Sequence, residues 1–497
     1  MEDFVSRIND IIWSPALVYL CLGVGLFFSI ATRFLQVRHL GDMGKLIFNR
    51  ESSDAGISSF QALSVALAGR VGTGNIAGVA TAIAFGGPGA VFWMWAIAFL
   101  GASSGFIEAA LGQVYKTKQD GQFRGGPAYY IEKGLGVKWY AILFALVTVL
   151  ATGALLPGVQ SNSLSSAVDK AFGVSPWISG LVVCVVLGII IFGGIKRIAR
   201  FAEYAVPFMA LGYILVAIII IIMNISKVPE VLSLIFSSAF AMNSAFGGIL
   251  GAAISWGVKR GIYSNEAGQG TGPHAAAAAE VSHPAKQGLV QAFSVYIDTL
   301  FVCSATAFMI LITGMYNVVP EGKEAIVTTL GEMEPGPGYT QEAVESVLPG
   351  FGAPFVAIAL LFFTFTTIMA YYYMAETNLA YINRKRRRVW SEYLLKVVFI
   401  FMVFYGCVKT AGLAWMLGDI GVGSMAWLNI IAIVLLSKPA LAILKDYETQ
   451  KKQGLDPVFD PVKVGIKGAD FWEKEYKYSG TGQTSKTTTS SGTTLDK

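Results

Sequence analysis

The sequence predicts an all-α polytopic membrane protein: two inverted five-helix repeats behind one extra N-terminal helix, with discontinuous first and sixth core helices and about eleven transmembrane helices. Three observations carry this. The 497 residues are 54% hydrophobic and only 14% charged, with a mean hydropathy of +0.58, too apolar for a soluble protein of this size. Two long hydrophobic segments, one in each half, are interrupted by glycines and polar residues. Lysine and arginine alternate between rich and poor loops along the chain. The net charge of +5 is modest and sits in those loops, so it reports orientation rather than nucleic-acid binding. Cys21, Cys184, Cys303 and Cys407 lie within hydrophobic spans and show neither metal-ligand spacing nor a secreted disulfide pattern, which leaves them as packing residues.

Residues 1–34 form the extra N-terminal helix. Glu2, Asp3 and Asp10 against a single Arg7 are the opposite of a signal peptide's basic start, so the apolar run 11–31 stays as a span. The first repeat, residues 55–224, opens with the stretch around which the chain is organised, Ala68-Gly69-Arg70-Val71-Gly72-Thr73-Gly74-Asn75, inside the hydrophobic segment 60–85. A spanning helix gains nothing from three glycines, a threonine, an asparagine and an arginine at its middle, so the segment breaks there. Irregular backbone survives at that depth only where it is buried in protein or lines a cavity, which marks a binding site. Spans at 89–115, 139–162, 176–193 and 201–223 complete this half. The second repeat, residues 228–445, opens with a span at 228–258, expected to break at Asn243-Ser244-Ala245-Phe246-Gly247-Gly248-Ile249-Leu250-Gly251. It continues at 288–315, 352–382, 390–410 and 425–444. Residues 446–497 are a cytoplasmic tail whose Ser/Thr/Gly-rich end, 479–497, cannot form a core and reads as disordered.

The loop charges orient this arrangement. Arg33, Arg38, Lys45 and Arg50 after the first helix fall on one side with Lys116, Lys118, Arg124, Lys133 and Lys138, with Lys196, Arg197 and Arg200, with Lys259, Arg260 and Lys286, and with the run Arg384-Lys385-Arg386-Arg387-Arg388. The opposite loops are poor in basic residues, and the long one carries Glu321, Glu324, Glu332, Glu334, Glu342 and Glu345. Positive charge inside then places the tail in the cytoplasm and the N-terminus outside a cell membrane.

The runs Gly72-Thr73-Gly74-Asn75-Ile76-Ala77-Gly78-Val79-Ala80, Gly261-Ile262-Tyr263-Ser264-Asn265-Glu266-Ala267-Gly268-Gln269-Gly270 and Val159-Gln160-Ser161-Asn162-Ser163 resemble the alanine or glycine:cation symporter family, over nearly all of residues 10–445. The resemblance implies sodium-coupled uptake of alanine, in the L or D form, or glycine, on the inverted-repeat fold of the leucine transporter. Val71-Gly72-Thr73-Gly74-Asn75 is also similar to the unwound first core helix of that wider superfamily.

The residues supply matching chemistry. A small zwitterion's carboxylate suits the exposed N–H groups of Gly72, Thr73, Gly74 and Asn75 at a half-helix start, where the dipole is positive. Its ammonium needs carbonyl acceptors, expected near Phe246 and Gly247, and Phe246 would close the pocket around a methyl group unless it is ordinary helix packing. Gln160 has an amide able to serve either end of the substrate. Thr366 and Thr367 place two hydroxyls in an apolar run; such neutral oxygens suit a monovalent cation, unless they bond back to their own helix. By the resemblance, both threonines and the Phe363 carbonyl would face the carbonyls of Val71 and of Ala68 or Gly69 around sodium, the coupling ion; no other cofactor is expected. Arg70, Glu108 and Asp298 are intramembrane ionisable groups and by default functional. Asp298 fits either an ion site with Asn75 or a gate with Arg70, and a structural salt bridge fits equally.

Other patterns lead nowhere. Gly72-x-Gly74-x-x-Ala77 mimics a dinucleotide loop without a βαβ unit around it. Gly101-Ala102-Ser103-Ser104-Gly105 has no base within the membrane, because His39, His274 and His283 fall in predicted inner loops, so an intramembrane enzyme is not indicated. Residues 264–272 read as a structured inner loop at a cytoplasmic gate. No filter repeat or charged ring argues for a channel. A transporter of the same fold carrying another small solute, or coupled to protons, remains the alternative.

Overall fold

A bilayer leaves backbone groups no partner but each other, so long apolar runs fold as helices. They do so in the computed structural model, which describes residues 2–48, 53, 55–191 and 194–476; the serine- and threonine-rich end expected to be disordered, 479–497, lies outside them. Among the described residues eight helical stretches are long and apolar enough to cross a membrane. Helix α1 is Pro15–Ala31. Helices α2 (Ser59–Arg70) and α3 (Val79–Gly86) are two halves of one interrupted span. There follow α4 (Gly89–Val114), α5 (Lys138–Phe172), α6 (Pro176–Ile191) and α7 (Gly194–Met223). The second half runs α8 (Val228–Ala239), α9 (Leu250–Asn265), α10 (Gly272–Ala278), α11 (Pro284–Thr313) and α12 (Gly352–Asn383). Helices α13 (Val389–Val408), α14 (Ala411–Leu435) and α15 (Ser437–Lys452) complete it.

The centre of the bundle is α4 lying along α9 and α11, with α5 packed on α12, α13 and α14. α1 clasps α4 from outside, where a Cβ on Gly25 would stand only 2.9 Å from Leu100 Cβ. α2 starts at a capping box, Ser58 accepting from the Gln61 N–H and Gln61 from the Ser58 N–H, each at 3.2 Å. It stops at Arg70, where Val71 turns extended (φ −76°, ψ 91°). Helix resumes through a π turn at Gly74–Gly78, so the first interruption falls within the expected run.

The second interruption does not. Residues 243–251 make a largely exposed turn and a single 3-10 turn, Gly247–Ile249, that joins α8 to α9, and none of the glycines there takes a left-handed φ. The break is at residues 266–271, between α9 and α10, where Glu266 (φ +57°), Gly268 (+81°) and Gly270 (+87°) turn left-handed and every residue is buried. The physical reason is satisfaction of the freed backbone. Glu108 on α4 accepts from the Gly268 and Gly270 N–H groups at 3.3 and 3.1 Å, and Asn429 on α14 donates to the Gly268 carbonyl at 2.9 Å. The run read as an inner loop is therefore the unwound centre of a helix.

The charge reading needs one further correction. Lys259 and Arg260 are buried on α9 and pair with Asp419 of α14 at 2.8 and 2.7 Å, beside the Glu321 and Glu334 end of the molecule. The single Asp419 carboxylate offsets one of the two charges, and both lie at the end opposite the one expected for them. Other expected inner segments do meet at one end: Arg38 pairs with Glu448 at 2.7 Å, Arg384 with Glu132 at 2.6 Å and Lys286 with Asp456 at 2.6 Å.

Candidate functional site

Both interruptions face each other across the bundle centre, and side chains from α5, α11 and α12 reach between them. At the first, the Gly72 N–H donates to Asn75 Oδ1 at 2.8 Å and the Thr73 N–H to Gln160 Oε1 at 2.9 Å. Two main-chain donors freed by the break are thus held by side-chain oxygens, one of them from α5. Gln160 is aimed by a π turn just before it, Ala151–Leu155. Gly72 has no room for a side chain: a Cβ would lie 2.5 Å from Thr367 Oγ1 and 2.8 Å from Gln160 Oε1. Gly74 is pressed in the same way, 3.1 Å from the Cα of Ser264.

On the opposite side of Gly72, Thr367 Oγ1 lies 2.8 Å from the Ala68 carbonyl, 3.3 Å from Val71 and 2.9 Å from Phe363. One hydroxyl proton cannot serve three carbonyls, so this is an oxygen cluster with surplus acceptors, in a site where all four residues are buried. The carbonyl reached is that of Ala68; Gly69 lies instead against Met374 and the Glu266 carboxylate. Thr366 sits one residue away and turns back, its hydroxyl 3.0 and 2.9 Å from the Phe362 and Phe363 carbonyls of its own helix.

Asp298 joins the two broken segments. Its carboxylate accepts from Asn75 Nδ2 at 2.6 Å, from Ser264 Oγ at 2.9 Å and from Thr299 Oγ1 at 2.7 Å, and it rides on a π turn in α11, Ile297–Cys303. Arg70 does not pair with it. The guanidinium, 1% exposed, donates from Nη1 to the Gln291 carbonyl at 3.2 Å and to Ser294 Oγ, while its charge acts on Glu266, Glu108 and Asp298. These three carboxylates are held differently. Asp298 and Glu108 each accept from three donors, the third on Glu108 being Asn429 Nδ2 at 2.8 Å, whereas Glu266 has only the Thr271 hydroxyl near it.

Toward the Glu321 end the site is closed by aromatic rings. Tyr263 lies against Gly74, Trp415 packs on Tyr263 with ring centroids 4.9 Å apart, and the Arg260 guanidinium lies 4.2 Å above the Trp415 ring, held by both oxygens of Asp419. Beyond them a cavity of about 540 Å³, lined in part by Trp256, Lys259, Thr81 and Phe85, opens outward. Phe246 and Gly247 are not in this constellation; Phe246 packs 3.4 Å from where a Gly87 Cβ would be, at the far end of α3.

Thus Gly72, Thr73, Gly74, Asn75, Gln160, Ala68, Val71, Phe363, Thr367 and Asp298 come together, with Arg70 directly behind them. Sequence reasoning missed Tyr263, Ser264, Glu266 and Trp415. The alternating glycines 268 and 270, together with an intramembrane Glu108 in need of donors, are the signal by which the second break could have been found.

Comparison with known proteins follows the same lines. The chain matches the sodium:alanine symporter family over residues 1–461. It is 68% identical over 478 residues to YrbD of Bacillus subtilis strain 168, covering 96% of this chain and 99% of that protein. It is 55% identical over 436 residues to the sodium/proton-dependent alanine carrier protein of Bacillus sp. strain PS3, covering 88% and 98%. The crystal structure of the Eremococcus coleocola manganese transporter superposes with a TM-score of 0.52 at 12% identity, covering 79% of this chain and 88% of that one, a likeness of fold alone.

Proposed function

The chain belongs to the sodium:alanine symporter family, and from that premise we propose that this multi-pass membrane protein imports alanine, or a neutral amino acid as small, together with sodium by alternating access. The observation that carries the proposal is the oxygen cluster of Thr367 with the Ala68, Val71 and Phe363 carbonyls. Neutral oxygens from a helix and from an unwound segment suit a monovalent cation, and Thr366 and Gly69 stand beside the ring rather than in it. Gly72 links this cluster to the substrate donors, so an ion that orders the break also orders the Gly72 and Thr73 N–H groups. Each ligand then binds better in the presence of the other, which is coupling. The substrate carboxylate takes those two donors in place of the Asn75 and Gln160 oxygens. The released Gln160 oxygen becomes an acceptor for the ammonium. Tyr263 and Trp415 close the site on this side and would limit the substrate side chain, and Phe246 is too far along α3 to share in that selection.

The end where Arg38, Lys133, Lys286 and Arg384 meet is the cytoplasmic one, and the N-terminus lies outside. Residues 55–224 and 228–445 serve as the two inverted repeats, each led by a broken helix. The sodium/proton-dependent name of the Bacillus sp. PS3 relative favours protons as a second coupling ion. In this chain the Glu266 carboxylate, fully buried with the Thr271 hydroxyl as its nearby donor, supports that reading.

Liposomes holding the purified protein test both. Alanine accumulates under an inward sodium gradient and not under the same gradient of potassium; accumulation with neither sodium nor a pH gradient overturns the proposal. Thr367→Ala raises the sodium concentration needed for half-maximal uptake by about tenfold or more, as loss of one ion ligand implies. Thr366→Ala has a smaller effect. Equal sodium dependence in Thr367→Ala and the parent would remove this site.

A further inference from the structure

The last described segment, residues 454–476, is not a loose end. Asp456 pairs with Lys286 at the start of α11 at 2.6 Å, the Pro457 carbonyl accepts from Ser282 Oγ at 2.8 Å, and the Phe459 N–H donates to the Ser282 carbonyl at 2.9 Å. The chain then crosses to the end of α4, where Trp472 Nε1 donates to the Gln113 carbonyl at 2.9 Å. Phe459, Phe471 and Trp472 are each 4% exposed. Phe471 and Trp472 complete an aromatic box with Phe123 around Lys116 Nζ, at 4.3 to 5.3 Å from the three ring centroids.

That box sits on the inner ends of both interrupted helices. Lys116 Nζ and Gln113 Nε2 each donate to the Ala279 carbonyl at 2.9 Å, just after α10. The same stretch is zipped to the residues that lead into α2: the Ile57 N–H donates to the Ala278 carbonyl and the Glu280 N–H to the Ile57 carbonyl, both at 2.9 Å. Phe123 also fixes that lead, its N–H donating to the Ala55 carbonyl at 3.1 Å. Alternating access in this architecture rocks or gates one group of helices against another, and inward opening needs the inner ends of the interrupted helices to shift against what surrounds them. A shift of residues 278–280 or 55–57 away from the end of α4 strains a contact made or backed by the terminal segment.

We propose that residues 456–476 form a strap that holds the inner ends of α2 and α10 closed, so that access from the cytoplasmic face requires the strap to come away. The inference rests on the alternating-access reading above. The strap sets how often the site faces inward, and it is separate from the substrate and ion contacts. The aromatic pair is its anchor and the Asp456–Lys286 pair a second tether.

Cys303 provides a native reporter. It is buried in the site, with Asn75 Nδ2 3.3 Å and Ser264 Oγ 3.2 Å from its sulfur, and is reached from the tail side only if the inner ends part. The experiment measures modification of Cys303 by a membrane-impermeant maleimide added to the tail side of membrane vesicles, read by mass spectrometry of its peptide. The full-length protein reacts slowly. Trp472→Ala raises the rate about fivefold or more, the scale expected for loss of one buried hydrogen bond and a ring over a cation. Asp456→Asn, a change at an exposed carboxylate that the fold tolerates, raises it less. Equal rates in the parent and both variants, whether all fast or all slow, overturn the strap. Alanine uptake by the parent protein in the same vesicles keeps that outcome distinct from failure of the transport reading.

Discussion

Arg70→Met is expected to abolish accumulation of folded protein in the membrane. The guanidinium is the cation on which Glu108, Glu266 and Asp298 all act, at a place where none of the four side chains is more than 1% exposed. A Cβ on Gly272 would lie 2.8 Å from Arg70 Nη2 and 3.7 Å from Glu108 Oε1, so the two charges flank the same glycine. Methionine fills much of the volume but removes the one cation these three buried carboxylates share, so whichever of them is ionised loses its countercharge. Removing one partner from a buried charged group costs about 3–5 kcal/mol, a large share of a protein's stability. The measurement is the yield of monodisperse protein after detergent extraction, with thermal unfolding of what survives. Arg70→Lys keeps the charge without the fork of donors to Gln291 and Ser294 and should fall between. Adding Glu266→Gln to Arg70→Met should recover part of the yield, because that carboxylate has the fewest donors to sustain its charge. Normal yield from Arg70→Met by itself would show that the carboxylates do not depend on it.

The same network explains what could be read in advance. The first break was legible because glycine, threonine, asparagine and arginine inside an apolar span have no use in a continuous helix. The leading helix and the meeting of the basic loops at one end were legible for a similar reason, since hydropathy and loop charge are local properties. The second break was misplaced because its partners are remote. Glu108 satisfies backbone donors 160 and 162 residues away, and Asn429 reaches Gly268 across 161. Without those partners in view, residues 266–271 look like a polar loop and the exposed glycines near 247 look like a hinge. Lys259 and Arg260 misled the charge count through Asp419, which lies 159 positions from Arg260. Thr366 and Thr367 show the finer limit. Neighbours on a helix point about 100° apart, so only one hydroxyl can face the break, and composition does not say which.

Gly72→Ala separates these two glycine runs functionally. The added methyl would stand 2.5 Å from Thr367 Oγ1, 3.3 Å from Thr367 Cβ and 2.8 Å from Gln160 Oε1. The backbone cannot retreat easily, because the Gly72 and Thr73 N–H groups are both held by side chains. Either Thr367 leaves the carbonyls of Ala68 and Val71, or Gln160 leaves Thr73, and each displacement disturbs one of the proposed ligand sets. An overpacked core position costs about 1–3 kcal/mol, which a folded protein can survive. A displacement of about 1 Å at a reacting or binding geometry is worth about 100-fold in rate, so alanine uptake should fall by that order while extraction yield stays near that of the parent. Combining Gly72→Ala with Thr367→Ala tests the cause: if the clash is with the threonine, the double variant is no worse than Thr367→Ala alone. Gly248→Ala is the matching control, since the nearest atom its Cβ meets is Lys323 Nζ at 4.0 Å. Uptake should be unchanged there, and a loss equal to that of Gly72→Ala would move the functional break back to the run around residue 247 and away from Gly268 and Gly270.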